Sequence, residues 1–321
     1  MRTLIRLGLC LGMLLALAVS SASAETYPDR PVKVIVPFAP AGLTDVIARI
    51  VTEKLTLRLG ERFYVENRGG ASGNIGTATV AAAEPDGHTL LFTASGLVVN
   101  PSLFANVPYD PVRDFAPISL VAVSPNVITV HPSVPARSIK ELIGLIKANP
   151  GKYTYATAGH LSGQLFRTSQ GLELAPVQFR SAGPALQSTL GGHTPIAITA
   201  LAPATPLIKE GGLRALMVTS ASRVRALPEV PTPAESGLAG LETYTFTGLL
   251  APAATPRAIV NLLHREIAEL MAEPAIQARL DELGYQVVAS SPDAFAERIK
   301  TELAHWAKVL RDAKIRPEGT Q

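Results

Sequence analysis

The stretch "VKVIVPFAPAGLTDVIARIVTEKLTLRLG", from Val32 to Gly60, decides the fold. Its first six residues form a short apolar run that is typical of a buried strand. After a loop of prolines, alanines and a glycine, apolar residues recur on one helical face: Ile47, Ile50, Val51, Leu55 and Leu59. Gly60 suits the end of that helix. The stretch therefore predicts a strand, a small uncharged loop and an amphipathic helix that begins near Thr44 and Asp45.

The same alternation of strands and helices continues along the chain. "FYVENR" (63–68) and "TLLFTA" (89–94) are typical of strands, and an alanine-rich helix over 74–83 separates them. This order predicts a parallel sheet covered by helices. A second series of this kind starts near Asn126, with strands predicted at "NVITVHP", "YTYATA", "APVQF", "PIAITA" and "LRALMVTS".

The regular pattern breaks between Asn100 and Pro117, where four prolines occur. We expect an ordered loop that packs on the first domain, because four of its residues have large apolar or aromatic side chains: Leu103, Phe104, Tyr109 and Phe115. A flexible linker is the alternative interpretation of so many prolines.

The C-terminal part returns to strands and helices. "TYTFTGLLAP" predicts a strand, and three helices follow, two of them beginning at Thr255 and Ser291, each with Pro next. A short strand, "YQVVAS", precedes the last helix. Helices of this length need a sheet to cover, so we expect the chain to cross twice between lobe one (25–124 plus 240–321) and lobe two (125–239). Two sequential domains are the alternative, which leaves the first domain with three strands.

The first 24 residues have the features of a secretory signal peptide. Arg2 and Arg6 precede an apolar run that ends in Ala22-Ser23-Ala24. We expect cleavage after Ala24 and a periplasmic mature protein. A membrane anchor is the alternative, but the run is short for a span of about 20 residues.

Composition excludes several classes of protein. Cys10 is the only cysteine and lies in the predicted leader, so no disulfide or thiolate site is expected in the mature chain. The net charge of +3 falls to +1 when Arg2 and Arg6 are removed, and no run of Lys and Arg occurs. A nucleic-acid partner is therefore not expected.

The loop from Pro37 to Asp45 is placed to bind an anion. Ligands of open parallel sheets lie beyond the carboxyl ends of the strands, and a helix start offers unpaired N–H groups and partial positive charge. Small residues allow a carboxylate to reach that backbone, and Thr44 adds a hydroxyl. Ordinary capping by Thr44 and Asp45 is the alternative, and the Asp45 charge would repel a strongly anionic ligand.

Other motifs carry no comparable chemistry. "GGASGNIG" (69–76) resembles a phosphate loop but lacks its Lys, so the start of a helix is the better interpretation. The six histidines lack the spacing of a metal helix, and no G-x-S-x-G elbow occurs. No catalytic set, metal site or cofactor is predicted. Trp306 and Phe295 are interpreted as core or covering residues of the last helix.

Nine segments of the chain carry a resemblance to a known family. They are "YPDRPVKVIVPFAPAGLTDVIAR", "VENRGGASGNIG", "PDGHTLLF", "NPSLF", "PYDPVRDFAPISLVA", "PNVITVHPSVPARSIKELI", "LRALMVTSASR", "LPEVPTPAESG" and "GLLAPAATP". Together they resemble the Bug/TctC family of periplasmic solute receptors, some of which serve tripartite tricarboxylate transporters. The likeness runs from about Tyr27 to Ile315. It implies a bilobed α/β fold of the type II periplasmic-binding-protein kind. That fold has two mostly parallel sheets with covering helices, a two-strand hinge and a ligand held between the lobes.

The resemblance also implies the residues of the site. The loop at Pro37–Asp45 would hold a ligand carboxylate, largely through backbone groups and ordered water. Loops of both lobes would complete the cleft. The residues expected to bind the ligand are Phe38, Ala39, Ala41, Gly42, Thr44, Asp45, Thr93, Ser95, Ala158, Gly159, His160, Arg180, Ser181 and Thr199.

Lobe two departs from the family pattern in three places. The loop at Gly159-His160 is shorter than in many relatives. Where the family usually has Tyr, Lys and Gly, this chain has Phe179, Arg180 and Ser181. Thr199 occupies a position that is often acidic in the family. Arg180 would offer a fork to a second carboxylate, or it is a surface residue. Thr199 argues against a paired ligand amine.

The leading expectation is a monomeric periplasmic receptor for a small carboxylate, which acts with membrane subunits of a tripartite tricarboxylate transporter and catalyses no reaction. One alternative is a periplasmic α/β hydrolase or transferase, which needs a nucleophile and a base that the sequence does not show. Another is a receptor that presents its ligand to a membrane signalling protein.

Overall fold

The computed structural model describes residues 27–40, 42–157, 162–179 and 181–312. The predicted signal peptide lies outside them. The described chain forms ten strands: β1 (Val32–Val36), β2 (Phe63–Asn67), β3 (Thr89–Ala94), β4 (Phe115–Val130), β5 (Thr154–Thr157), β6 (Ala175–Gln178), β7 (Ile196–Ala200), β8 (Arg214–Val218), β9 (Tyr244–Pro252) and β10 (Gln286–Val287).

The helices alternate with these strands, as the sequence predicts. They are α1 (Leu43–Leu59), α2 (Asn74–Ala81), α3 (Gly96–Leu103), α4 (Ile139–Ala148), α5 (Ser162–Ser169), α6 (Ala182–Leu190), α7 (Leu201–Lys209), α8 (Arg257–Met271), α9 (Pro274–Glu282) and α10 (Pro292–Asp312). A short 3₁₀ turn, Ala71–Gly73, precedes α2. No helix in these described ranges has both the length and the apolar character to span a bilayer.

The first helix confirms the periodicity of the opening stretch. Ile47, Val51 and Leu55 of α1 are fully buried against β1, and each such side chain stabilises the fold by about 1.5–3 kcal/mol. The helix ends at Gly60, whose φ of 82° is the left-handed conformation that glycine adopts readily. Its N-cap is Gly42, which makes no side-chain cap bond. Thr44 and Asp45 therefore lie in the first turn rather than at the cap.

The sheet is mixed rather than mostly parallel. Its order is β2-β1-β3-β9-β4-β7-β5-β6, with β8 and β10 also paired to β4. The pairs of β1 with β2 and β3, and of β5 with β6 and β7, are parallel. Every pair made by β4 or β9 is antiparallel. The prediction of mostly parallel strands fails at β4 and β9, since both run against their neighbours.

Strand β4 links the two parallel groups and is longer than predicted. The sequence places its start near Asn126, whereas the strand runs 16 residues from Phe115. Pro117 and Pro125 lie within it and argue against a central strand. The register against β9 shifts directly after Pro117, which accommodates its missing N–H group, and pairing with β9 ends at Pro125.

The C-terminal helices pack on the strands of the first part of the chain. Helix α8 contacts α1 and β4, and α10 contacts α3 and β4. Val260, Leu263 and Ile267 of α8 share one hydrophobic core with Val34 and Ile47. The boundaries of the two lobes stay a prediction.

The proline-rich segment after Asn100 is ordered and partly helical. Helix α3 covers its first residues and contains Pro101, a helix that the sequence did not predict. Tyr109 and Phe115 are buried, which confirms the packed loop, while Leu103 and Phe104 are half-buried. Tyr109 and Phe115 meet edge to face at 6.1 Å between ring centroids.

Candidate functional site

A cavity of about 590 Å³ lies beyond the carboxyl ends of β1 and β3, next to β4, β9 and helix α5. It is larger than a second cavity of about 240 Å³ between Arg223–Ala226 and Gly284–Gln286. The described residues that line the large cavity are Pro37, Phe38, Ala39, Gly69, Gly70, Ser72, Gly73, Ala94, Ser95, Gly96, Val99, Asn100, Leu103, Asn126, Ser162, Thr243, Tyr244, Thr245 and Trp306.

The predicted loop after β1 forms one wall of this cavity. Phe38 and Ala39 line it, and Asn67 Nδ2 donates to the Phe38 carbonyl oxygen at 3.1 Å. Gly42 is exposed and Thr44 is half-buried, and neither lines the cavity. Ala41 lies outside the described residues.

Asp45 has a structural environment of its own. Its side chain is 1 % exposed and accepts hydrogen bonds from Arg49 Nε at 2.9 Å and Nη2 at 3.0 Å, and from Asn67 Nδ2 at 2.9 Å. The contact raises the pKa of Arg49, chiefly through the hydrogen bond to Asp45. Asp45 is therefore buried beneath the loop and does not line the cavity. Arg49 and Asn67 thus compensate the charge of Asp45, which the sequence analysis had expected to lie at the ligand.

The glycine-rich segment before α2 forms a second wall of the cavity. The sequence analysis interpreted this segment as the start of a helix. That interpretation is confirmed, because Gly73 is the N-cap of α2. Ser72 has a φ of 56°, in the left-handed region that non-glycine residues seldom adopt. Asn100 Nδ2 donates to the Ser72 carbonyl oxygen at 3.0 Å and to Asn74 Oδ1 at 2.7 Å. Tyr109 donates to the same Oδ1 at 3.0 Å, and these bonds hold the strained turn.

Three helices begin at the cavity wall. Gly73 is the N-cap of α2, Ser95 is the N-cap of α3, and Ser162 is the first residue of α5. The first turns of a helix expose backbone N–H groups and carry partial positive charge. Helix starts that share one cavity therefore favour a negatively charged ligand.

Ser95 is fixed by the neighbouring strand. Its Oγ accepts from Phe246 N at 2.9 Å and donates to the Tyr244 carbonyl oxygen at 3.5 Å. Thr93 is 1 % exposed and does not line the cavity.

Residues of β4 and α5 close the cavity on the other side. Ser162 and Asn126 are buried in its wall. Thr199 is fully buried in β7, and Ser181 is exposed before α6; neither lines the cavity. Ala158, Gly159, His160 and Arg180 lie outside the described residues.

The rest of the wall is apolar and aromatic. Trp306 of α10 lines it together with Val99, Leu103 and Tyr244. The Trp306 indole Nε1 donates to Glu302 Oε2 at 2.7 Å, which fixes the ring. The sequence analysis interpreted Trp306 as a core or covering residue, and its side chain is indeed buried. No sequence pattern indicated that it also lines the cavity.

Charged side chains are absent from the described part of the cavity wall. No Asp, Glu, Lys, Arg or His of the described ranges lines it. The same ranges contain no group of three His, Cys, Asp or Glu side chains that could hold a metal ion. Backbone amides, hydroxyls and two Asn side chains are the polar groups that this wall offers a ligand.

Most of the chain matches one protein family and its members. Residues 47–315 match the model of the TctC family, described as "Tripartite tricarboxylate transporter family receptor". A Pseudomonas sp. (strain P51) protein, "UPF0065 protein in tcbD-tcbE intergenic region", is 37% identical over 95% of this chain and 93% of its own. "Protein BugT" of Bordetella pertussis is 35% identical over 96% of this chain and 97% of its own.

Solved structures show the same mixed α/β fold. "R. palustris Rpa4515 with adipate" superposes with a TM-score of 0.82 at 33% identity, covering 91% of this chain and 99% of that one. "MatC (Rpa3494) from Rhodopseudomonas palustris with bound malate" gives 0.78 at 30% identity, covering 88% and 100%. From the family match and the relatives of this similarity, the chain belongs to the TctC family of tripartite tricarboxylate transporter receptors, which includes the Bug proteins.

Proposed function

We propose that this protein is a periplasmic solute receptor that captures a small carboxylate in the 590 Å³ cavity and presents it to membrane subunits of a tripartite tricarboxylate transporter. It acts as a monomer and catalyses no reaction of its own. The receptor role is that of its family.

One observation carries the choice of ligand class. Helices α2, α3 and α5 begin at a cavity wall whose described side chains are uncharged. Each helix start is equivalent to roughly half a positive charge, and the low polarity of the surroundings strengthens its attraction for an anion. A carboxylate is stabilised there by backbone donors, and a cation is not.

The relatives support the same class. Adipate and malate, present in the two R. palustris structures, are both carboxylates. Of the residues expected to bind the ligand, Phe38, Ala39 and Ser95 line the cavity and are proposed to contact it. Ala41, Ala158, Gly159, His160 and Arg180 remain proposals from the family resemblance.

The division of the hydrophobic core supports the predicted lobes. The buried members of two clusters come from before Ser124 or after Thr245, whereas those of the other two lie between Val127 and Leu241. We assign lobe one to 25–124 plus 240–321 and lobe two to 125–239, in the bilobed arrangement of type II binding proteins. Ligand binding favours the closed state to the extent that the ligand prefers it.

Thermal unfolding with a panel of mono- and dicarboxylates tests this function. At a ligand concentration one hundred times Kd, the stability of the folded state rises by about 2.7 kcal/mol. We expect a concentration-dependent rise in Tm with at least one carboxylate. A complete panel without any rise contradicts the proposal.

A pair of glycine variants locates the effect. Gly73→Ala places a Cβ 3.3 Å from the Pro37 carbonyl oxygen in the cavity wall, while Gly211→Ala meets no atom within 4 Å. Both glycines have positive φ, 94° and 78°, so an alanine at either position lowers the free energy of unfolding by about 1–2 kcal/mol. Only Gly73→Ala is expected to weaken binding, and equal affinities in the two variants would place the ligand elsewhere.

A further inference from the structure

Asn67 connects three parts of the chain behind the wall of the large cavity. It is the last residue of β2 and pairs with Val36, the last residue of β1. Its side chain is half-buried and does not line the cavity. Its Nδ2 donates to the Phe38 carbonyl oxygen at 3.1 Å and to Asp45 Oδ1 at 2.9 Å. Its Oδ1 accepts from Arg49 Nη2 at 3.1 Å.

The two charged partners give the Asn67 amide one orientation. The carboxylate of Asp45 only accepts hydrogen bonds and the guanidinium of Arg49 only donates them, so Nδ2 faces Asp45 and Oδ1 faces Arg49. The two charged groups are themselves paired within α1 at 2.9 Å. With one N–H of the amide on Asp45, the other is directed at the Phe38 carbonyl oxygen, which is thereby held toward Asn67.

The direction of the Phe38 carbonyl sets the direction of the next N–H group. The peptide bond between Phe38 and Ala39 is trans, and in a planar trans peptide the C=O and the following N–H point in opposite directions. The carbonyl points to Asn67 behind the wall, while Phe38 and Ala39 line the cavity. No described residue accepts a hydrogen bond from Ala39 N. This N–H is therefore available to a ligand.

The orientation of this one peptide group matters for an anion. Pro37 and Pro40 lie on either side of it and have no N–H to offer. A peptide turned the other way would place the partial negative charge of the Phe38 oxygen against a carboxylate. In the observed orientation the Ala39 N–H can instead make a charge-assisted hydrogen bond.

We propose that Asn67 is a positioning residue: anchored by Asp45 and Arg49, it holds the Phe38 carbonyl away from the cavity so that the Ala39 N–H donates to the carboxylate of the ligand. Asn67 itself does not touch the ligand. The inference rests on the proposed function, and it gives the buried Asp45 a part in binding that involves no contact with the ligand.

Calorimetry on two matched variants tests the effect on affinity. Asn67→Leu removes the amide, keeps a similar size and adds no charge that could repel the ligand. Asn149→Leu is the control, because Asn149 is also half-buried, donates to the Leu145 carbonyl oxygen at 2.9 Å and does not line the cavity. The probes are adipate, malate, succinate, hexanoate and any other acid of the thermal-unfolding panel that raises Tm. We expect Kd to rise at least about tenfold in Asn67→Leu, the effect of one charge-assisted hydrogen bond, and to stay within about threefold in Asn149→Leu.

Amide NMR distinguishes a lost orientation from a loosened structure. In protein with ¹³C-carbonyl Phe and ¹⁵N Ala, a carbonyl-filtered spectrum shows only alanines that follow a phenylalanine, and the sequence has four: Ala39, Ala105, Ala116 and Ala296. The Ala39 signal is identified by its absence in Ala39→Gly. With a saturating acid we expect its proton to move downfield in the wild type and in Asn149→Leu, and to show no such movement in Asn67→Leu. The other three signals are internal controls.

Each of the other outcomes overturns the inference. An unchanged Kd in Asn67→Leu removes its role in binding, and an equal rise of Kd in Asn149→Leu assigns the effect to lost stability. A wild-type Ala39 signal that does not move downfield with a bound acid excludes the hydrogen bond, even if Asn67→Leu fails to fold. These results leave the proposed function standing. If no acid of the panel binds the wild type, the proposed function fails and the inference fails with it.

Discussion

At the scale of single residues, burial controls the acid–base behaviour of the tyrosines. Desolvation raises the pKa of Tyr109 and of Tyr155 from 10.0 to about 12. It also raises the pKa values of Tyr27 and Tyr285. Because the neutral phenol is favoured in the folded state, folding holds these protons at pH values where the unfolded chain releases them.

This linkage predicts alkaline instability. Below pH 10 both states keep the tyrosine protons, so the effect on stability is absent. Between pH 10 and 12 the unfolded state loses them and the folded state does not, so each such tyrosine lowers the free energy of unfolding by about 1.4 kcal/mol per pH unit. Urea unfolding between pH 8 and pH 11 measures this slope.

Conservative variants identify the residues responsible. Tyr155→Phe removes one ionisable group from the core and is expected to reduce the slope above pH 10 by one tyrosine's share. Tyr64→Phe, in the half-buried edge strand β2, is the control. A slope that Tyr155→Phe does not change would contradict the linkage.

At the scale of secondary-structure elements, one glycine sets the distance between α2 and the loop after β1. A Cβ at Gly76 would lie 2.4 Å from the Arg68 carbonyl oxygen and 2.9 Å from Pro37 Cα, and both are backbone atoms that cannot turn aside. Because Pro37 also lines the cavity, this close packing fixes the wall at the helix start.

We therefore expect Gly76→Ala, which adds one methyl group, to destabilise the folded state strongly. Overpacking against backbone is expected to lower the free energy of unfolding by about 2 kcal/mol or more. Gly144→Ala, in the exposed face of α4 with no atom within 4 Å of the added Cβ, should instead raise it by about 0.5–1 kcal/mol. Urea unfolding followed by circular dichroism compares the two variants. A change of the same sign in both would refute the packing argument.

Elements with clear periodicity could be predicted from the sequence, and those interrupted by proline could not. Helix α1 follows its apolar spacing, and Ser291 caps α10 as predicted, since its Oγ accepts from Ala294 N at 3.2 Å. Helix α3 and the first half of β4 were missed, because Pro101 and Pro117 are typical of loops. Tertiary pairing overrides those local preferences.

The site was predicted in part for a similar reason. Phe38 and Ala39 follow directly from the strand–loop–helix pattern, and they line the cavity. Three other lining residues belong to distant segments of the chain: Asn126 in β4, Ser162 in α5 and Trp306 in α10. Only the tertiary fold brings them to one cavity, so local sequence patterns do not reveal it. The one available signal was Asn126 itself, a polar residue at the start of the strand predicted at "NVITVHP".

At the scale of the whole molecule, β4 joins the two groups of parallel strands into one hydrogen-bonded order. Asn126 lies at the change of partners within that strand, next to the cavity. The site is thus placed where the segments from both predicted lobes meet. Relative movement of the lobes would change the distance between the start of α5 and the starts of α2 and α3.

The central claim is that backbone donors at these helix starts hold a carboxylate. The sequence contains one tryptophan, and Trp306 lies in the cavity wall, so its fluorescence reports on the site directly. The measurement is a fluorescence titration with adipate, malate and the other carboxylates of the thermal-unfolding panel, each beside its uncharged amide. We predict a saturable change with at least one carboxylate, and at least a hundredfold weaker response to its amide. Binding of the amide as tight as that of its acid, or no response to any acid, would contradict the account.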